Sequence, residues 1–259
     1  MSDDQQHTRS IDLSIEVPGT PEEVWQAIAS GPGIGSWFVP TEIDEREGGR
    51  IAQHFGPGMD AEGQVTAWEP PRRFAFGAAD GSGLAFEWLV EARDGGSCVV
   101  RLVNSGFGTG EPWDDQYDSM TEGWRFFLAN LQLHLTHFPG RRAASALPMA
   151  VWGESQQEAW DVVAETLGLT DARPGATVAS GGDAPSLRGT VVEAVVPHHV
   201  TLLLTEPAQG TALFAAEHVG PAVGVSTWLY LYGDDAAALA EREGARWREW
   251  LDRRAVPME

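Results

Sequence analysis

Ile11, Leu13, Ile15 and Val17 alternate with Asp12, Ser14 and Glu16, the period of two that predicts a strand with one buried face. Thr20-Pro21-Glu22-Glu23 follows. Thr20 can cap a helix, Pro21 suits its first position and Glu23 completes a capping box. Val24, Trp25 and Ile28 then share one face of a short helix, and a second helix or turn around Gly33 to Phe38 ends at Pro40. From there to residue 105 the chain reads as strands around 42–46, 50–55, 63–69, 73–78, 84–91 and 98–105, joined by turn signals. The last two close a hairpin through Arg93-Asp94-Gly95-Gly96. With Val90 opposite Cys98, the residues Leu84, Phe86, Trp88, Val90, Cys98, Val100, Leu102 and Asn104 share an apolar face, and Glu87 lies opposite Arg101 on the other. After the loop SGFGTGEPWDD, a long helix over about 115–137 aligns Tyr117, Met120, Trp124, Phe127, Leu128, Leu131 and Leu135 on one side.

Such a helix must bury its stripe against the apolar sheet face, so the order of elements predicts an α+β fold in which a curved antiparallel sheet wraps a long helix. The same grammar then recurs. SQQEAWDVVAETLGL echoes TPEEVWQAIASGPGI, aligning Trp160 with Trp25, and RGTVVEAVVPHHVTLLL echoes EGQVTAWEPPRRFAFGA, aligning Pro197 with Pro71. We therefore expect a first domain over 1–138, a linker over 139–148 and a shorter, degenerate second copy over 149–259; a single copy with an unrelated helical tail is the alternative. The second copy lacks about nine residues in the region matching Trp37 and Phe38.

Composition narrows the function. A formal net charge of −21 opposes nucleic acid and anionic membranes. All 17 basic residues are arginine, which excludes Schiff-base lysine chemistry and a P-loop lysine. No apolar run approaches a membrane span, and the polar MSDDQQHTRS start has no signal-peptide pattern, so a cytoplasmic protein is expected. The single cysteine, Cys98, falls on the apolar hairpin face and reads as a core thiol. Gly31, Gly33 and Gly35 follow a helix and open no βαβ unit, which argues against a dinucleotide loop.

VPGTPEEVWQAI, GSWF, EGGRI, EGQVTAWEPPRRFAF, VVRLVNSGF and TEGWRFFLANLQLHL together resemble, in order, the START-like (SRPBCC) superfamily, in the branch homologous to the activator of the heat-shock-protein-90 ATPase. The resemblance covers residues 10 to 138 and implies a helix-grip fold with a cavity between sheet and long helix. Relatives use that cavity for hydrophobic ligands, polyketide cyclisation or dehydration, sequestration of reactive natural products, or co-chaperone contacts. It supplies no shared catalytic set.

The candidate ligand-binding residues are Trp37, Phe38, His54, Phe76, Phe86, Trp88, Asn104, Trp113, Tyr117, Met120, Trp124 and Phe127, with Trp37 and Phe38 expected either at the cavity lip or as core that plugs the end of the sheet. Inward aromatics are usually core and a packed interior needs no ligand, but the few aliphatics between these point to a partly open, aromatic-lined cavity as the alternative. The leading expectation is binding of a hydrophobic, aromatic small molecule, without cofactor. One alternative is a cyclase or dehydratase using His54 and Asn104 as inward polar groups. Another is a chaperone-binding module, against which no additional N-terminal domain precedes Ile11. His134 and His137 lie three apart on the long helix, but no nearby carboxylate or cysteine completes a ligand set, and no metal is expected.

Overall fold

The computed structural model describes residues 9–56, 58–108, 110–169, 173–219 and 222–256, and the chain divides into two compact units that meet between Arg142 and Ala143. The first begins with β1 (Arg9–Pro18), whose alternating pattern holds, with Ile11 and Val17 buried. It ends at Pro18, after which Thr20 forms the anticipated capping box: its backbone N–H donates to Glu23 Oε2 at 2.8 Å and its hydroxyl accepts from the Glu23 N–H at 3.3 Å. That box starts α1 (Pro21–Ala29), and Ser30 caps the single turn of α2 (Gly31–Ile34).

The meander follows as β2 (Thr41–Ile43), β3 (Arg50–His54), β4 (Asp60–Glu69), β5 (Arg73–Gly77), β6 (Ala85–Arg93) and β7 (Ser97–Phe107). All pairings are antiparallel, and β1 closes the far edge on β7, giving the order β1-β7-β6-β5-β4-β3-β2. The β6–β7 register differs from the sequence expectation by two residues: Ala92 faces Cys98, Val90 faces Val100, and Glu87 faces Val103. The cause is the turn. Gly95 and Gly96 both take positive φ, which shortens the loop to Asp94-Gly95-Gly96 and admits Arg93 to the ladder opposite Ser97. A shift of two preserves the face of every side chain, so the apolar face survives.

The long helix α3 (Glu111–His137) carries the expected stripe, with Trp124, Leu128, Leu131 and Leu135 buried. Phe126, Asn130, Leu133 and His134 are buried as well, so a second flank of α3 is also withdrawn from water, which the single-stripe reading missed. Cys98 is fully buried and its thiol donates to Gly19 O at 3.4 Å; burial raises its pKa.

The second unit repeats the plan. A first strand broken in two, β8 (Ala144–Ala146) and β9 (Met149–Trp152), leads to α4 (Gln156–Leu167), then β10 (Thr177–Ala179), β11 (Arg188–Val195), β12 (His199–Glu206), β13 (Gly210–Val219), β14 (Ala222–Leu231) and α5 (Ala236–Asp252). The order is β10-β11-β12-β13-β14, with β8 and β9 both on β14, the place β1 takes on β7. Ser155 and Glu158 form the same capping box as Thr20 and Glu23, and the aligned turns at Pro71 and Pro197 both hold cis X–Pro bonds. Among the described residues no element corresponds to α2 or β2, in line with the shorter second sequence. The expected linker over 139–148 is corrected in part: residues 144–146 form β8 and belong to the second sheet.

Burial lowers the His134 pKa from 6.5 to about 4. The folded protein therefore holds this imidazole neutral while the unfolded chain takes up a proton below pH 6.5. Stability should be unaffected by this group above pH 6.5, fall as the pH drops from 6.5 to 4, and level off below, a total of about 3 kcal/mol. Urea unfolding of the wild type and His134→Gln across this range should show the wild type losing that amount relative to the variant, because the carboxylates titrate alike in both. A constant difference between the two proteins would refute the shift.

Candidate functional site

The Gly-rich segment after α1 explains why a Trp-Phe pair follows it. A Cβ on Gly33 would lie 1.9 Å from Gln26 O, and one on Gly31 2.4 Å from Thr41 O, so the chain can double back here only with glycine. The doubling turns Trp37 and Phe38 into the space between sheet and α3. Trp37 is 1% exposed, its Nε1 donates to Ala27 O at 2.9 Å, and its carbonyl accepts from Asn130 Nδ2 at 2.8 Å. Phe38 lies 5.0 Å from Trp124, 4.7 Å from Phe127 and 5.6 Å from Phe55, centroid to centroid. Of the two readings of this pair, lip or core, the structure has the second: both residues are buried.

Around them the rings interlock edge to face. Trp88 meets Trp37 at 5.7 Å and Trp124 at 5.6 Å, while Phe86 meets Trp124 at 5.8 Å. The space left at the centre, between Ile28, Trp37, Phe76, Trp88 and Trp124, is about 10 Å³, at or below what one water requires. The partly open deep interior offered as the alternative is not there. Aromatic rings in T-shaped contact fill it without the aliphatics whose scarcity suggested a void.

Free space lies farther out, where the inward positions become small. A pocket of about 390 Å³ opens between the ends of β3, β4, β5 and β6 and the Ser82–Leu84 segment. Ala61, Gly63 and Gly77 leave its sheet side bare, and Ile51, Phe55, Leu84 and the stacked pair Phe76 and Phe86, 4.9 Å apart, give it apolar walls. Gln53 stands between the two spaces, bordering both the central void and the pocket. It is 8% exposed, and among the described residues its side-chain amide makes no hydrogen bond. Its sequence signal was present: Ile51, Gln53 and Phe55 share the inward parity of β3.

Of the expected site residues, only Phe76 and Phe86 line this pocket. Trp37, Phe38, Trp88, Trp124 and Phe127 form the packed wall behind it. His54 faces outward, its side chain 38% exposed, with Nδ1 2.9 Å from Asp60 Oδ1 and Nε2 3.9 Å from Glu42. Asn104 is inward and fully buried but occupied: Nδ2 donates to Ala85 O at 3.1 Å and Oδ1 accepts from Trp124 Nε1 at 3.4 Å. The acid–base candidate His54 and the hydrogen-bonding candidate Asn104 therefore do not meet. Trp113 and Tyr117 gather around Phe107 at the start of α3, at 6.4 and 5.3 Å, with the Arg9 guanidinium 4.1 Å over the Tyr117 ring and Tyr117 Oη donating to Ser10 O at 3.2 Å. Met120, half-buried on the same helix, does not line the pocket.

Residues 18–136 match the family described as "Activator of Hsp90 ATPase homolog 1-like protein". The match spans 119 of the 259 residues, all within the N-terminal unit. No curated protein matches the chain. Among solved structures, CalU16 from Micromonospora echinospora is 24% identical over 50% of this chain and 78% of its own, with a TM-score of 0.41. The di-domain ARO/CYC BexL from the BE-7585A biosynthetic pathway is 18% identical over 95% of this chain and 93% of its own, at 0.43. DynU16, a putative protein in the dynemicin biosynthetic locus, is 18% identical over 94% and 96%, at 0.44. The N-terminal unit, similar to that family over this stretch, presents the helix-grip fold with its rings packed around Trp124 and a pocket open at the mouth.

The wall and the lining should respond differently to mutation. Trp37→Phe removes the partner of the buried Ala27 carbonyl and opens a gap beside Trp88, and is expected to cost roughly 2–4 kcal/mol in chemical denaturation. Gln53→Leu removes an amide that holds nothing and should leave stability within about 1 kcal/mol of the wild type or above it. A large loss in Gln53→Leu would show that the amide supports the fold.

Proposed function

We propose that the N-terminal domain binds an uncharged, hydrophobic aromatic molecule in the pocket at the mouth of the helix grip, for carriage or sequestration. The observation that supports this is the pocket of about 390 Å³ with its walls of Ile51, Phe55, Phe76, Leu84 and Phe86, a size and lining suited to a small organic ligand, beside a ring cluster around Trp124 that is filled to the scale of one water. Electrostatics selects against anions. The chain carries −21, and at the mouth Glu62 and Asp60 flank Ala61. The apolar walls in turn disfavour a desolvated cation, leaving a neutral guest. The cyclase reading required His54 and Asn104 to converge on a ligand; the first faces water and the second is held by Ala85 and Trp124, so binding is the function the geometry supports best.

The neutral probe N-phenyl-1-naphthylamine should gain fluorescence on titration with the protein. Ala61→Trp places a large ring in the pocket from an edge position with no deep packing to disturb, and should weaken binding at least tenfold while far-ultraviolet circular dichroism stays unchanged. Equal binding by Ala61→Trp would place the probe elsewhere and overturn the assignment.

A further inference from the structure

We infer that Gln53 sets the class of ligand: an aromatic molecule whose inner end carries a hydroxyl or carbonyl oxygen. This rests on the pocket being a binding site. The argument starts from cost. The Gln53 amide has no protein partner, yet its N and O are not among the side-chain atoms sealed from solvent without one, so in the empty pocket water satisfies it, and a guest that displaces this water without replacing its hydrogen bonds loses them. The position itself demands nothing polar. Ile51 and Phe55, its neighbours on the same face of β3, are apolar, and its cross-strand neighbours are Thr41 and Ala61. Ala61 offers no hydrogen bond, and the Thr41 hydroxyl already donates to Val39 O at 2.9 Å. A leucine would fill the same space, yet the chain keeps an amide there.

Its location gives the amide a use. Gln53 borders the central void of about 10 Å³ on one side and the pocket of about 390 Å³ on the other, so it stands at the pocket's inner end, where a guest entering from the mouth stops. The remaining lining at that depth, Ile51, Phe76 and Phe86, presents only carbon. An amide both donates and accepts, so it matches a hydroxyl, which does both, and accommodates a carbonyl, to which its NH₂ donates. A guest ending in carbon there leaves the amide unpaired and desolvated, a penalty the oxygenated guest avoids.

The probes are 2-naphthol and 2-methylnaphthalene, of nearly equal shape, titrated by tryptophan quenching into the wild type, Gln53→Leu and Ala61→Trp at pH 7. Because the methyl compound is intrinsically more hydrophobic, the quantity read is the ratio of the two affinities. Gln53→Leu should shift that ratio about tenfold toward 2-methylnaphthalene, the worth of one net hydrogen bond. A shift of less than threefold overturns the role of Gln53. The Ala61→Trp arm separates the two failures: loss of both probes there with an unmoved Gln53→Leu ratio sinks only this inference, whereas Ala61→Trp binding both probes like the wild type removes the pocket and this inference together.

Discussion

The N-terminal domain depends on a wedge. α3 touches the sheet through Trp124, which meets Phe86 and Trp88, and beside that contact Trp37 and Phe38 fill the space between helix and sheet, delivered by a glycine bend that tolerates no side chain at Gly31 or Gly33. Trp37 is tied twice, through its indole N–H to the end of α1 and through its carbonyl to Asn130 of α3, so one residue registers two helices against the sheet. The wedge also decides where the domain is hollow. On the sheet side the wedge leaves space where the inward positions shrink to Ala61, Gly63 and Gly77, and this pocket follows from the gradient in residue size along the strands.

The second copy shows what the same clamp does without the wedge. It lacks α2 and β2 among the described residues, and its rings come from the helix and the broken first strand instead. Trp247 meets Phe214 at 5.2 Å, Trp250 meets Trp152 at 5.8 Å, and Trp152 Nε1 donates to Leu251 O at 3.0 Å, tying β9 to the end of α5. Helix and sheet are again joined by an indole that bonds a helix carbonyl, but from a different element. The two copies keep the capping box and the strand order and diverge in the segment that fills the interior.

Much of this was legible in the sequence, because the signals were local and periodic. The alternation in β1, the capping box at Thr20 and the stripe on α3 each rest on residues close in the chain. The duplication could be read because Trp25 and Trp160, and Pro71 and Pro197, survived in aligned positions. What could not be read was the volume left over. Whether eight or so rings leave a cavity depends on tilts and centroid distances that no pattern of positions encodes, and the composition argument pointed the wrong way. His54 was placed inward although Ile51 and Phe55 share the opposite parity; the parity was the better guide, and it selects Gln53. Asn104 was placed correctly, but its partners, Ala85 and Trp124, are 19 and 20 residues away.

On the proposed function, the size of the pocket bears on how a guest would be held. A guest of about 15 heavy atoms, at roughly 0.3 kcal/mol each, gains about 4–5 kcal/mol, which is only sub-millimolar. Apolar fit alone therefore gives weak affinity at this site, and the deep interior cannot be recruited to add area, since the rings around Trp124 already fill it. Affinity must come from a polar term or from closure of the mouth. On the proposed function Gln53 is positioned to supply the first: its amide is open to pocket water in the empty domain, so a guest that covers it without an oxygen loses those hydrogen bonds, and the difference between guests, not a cost in folding, would set selectivity.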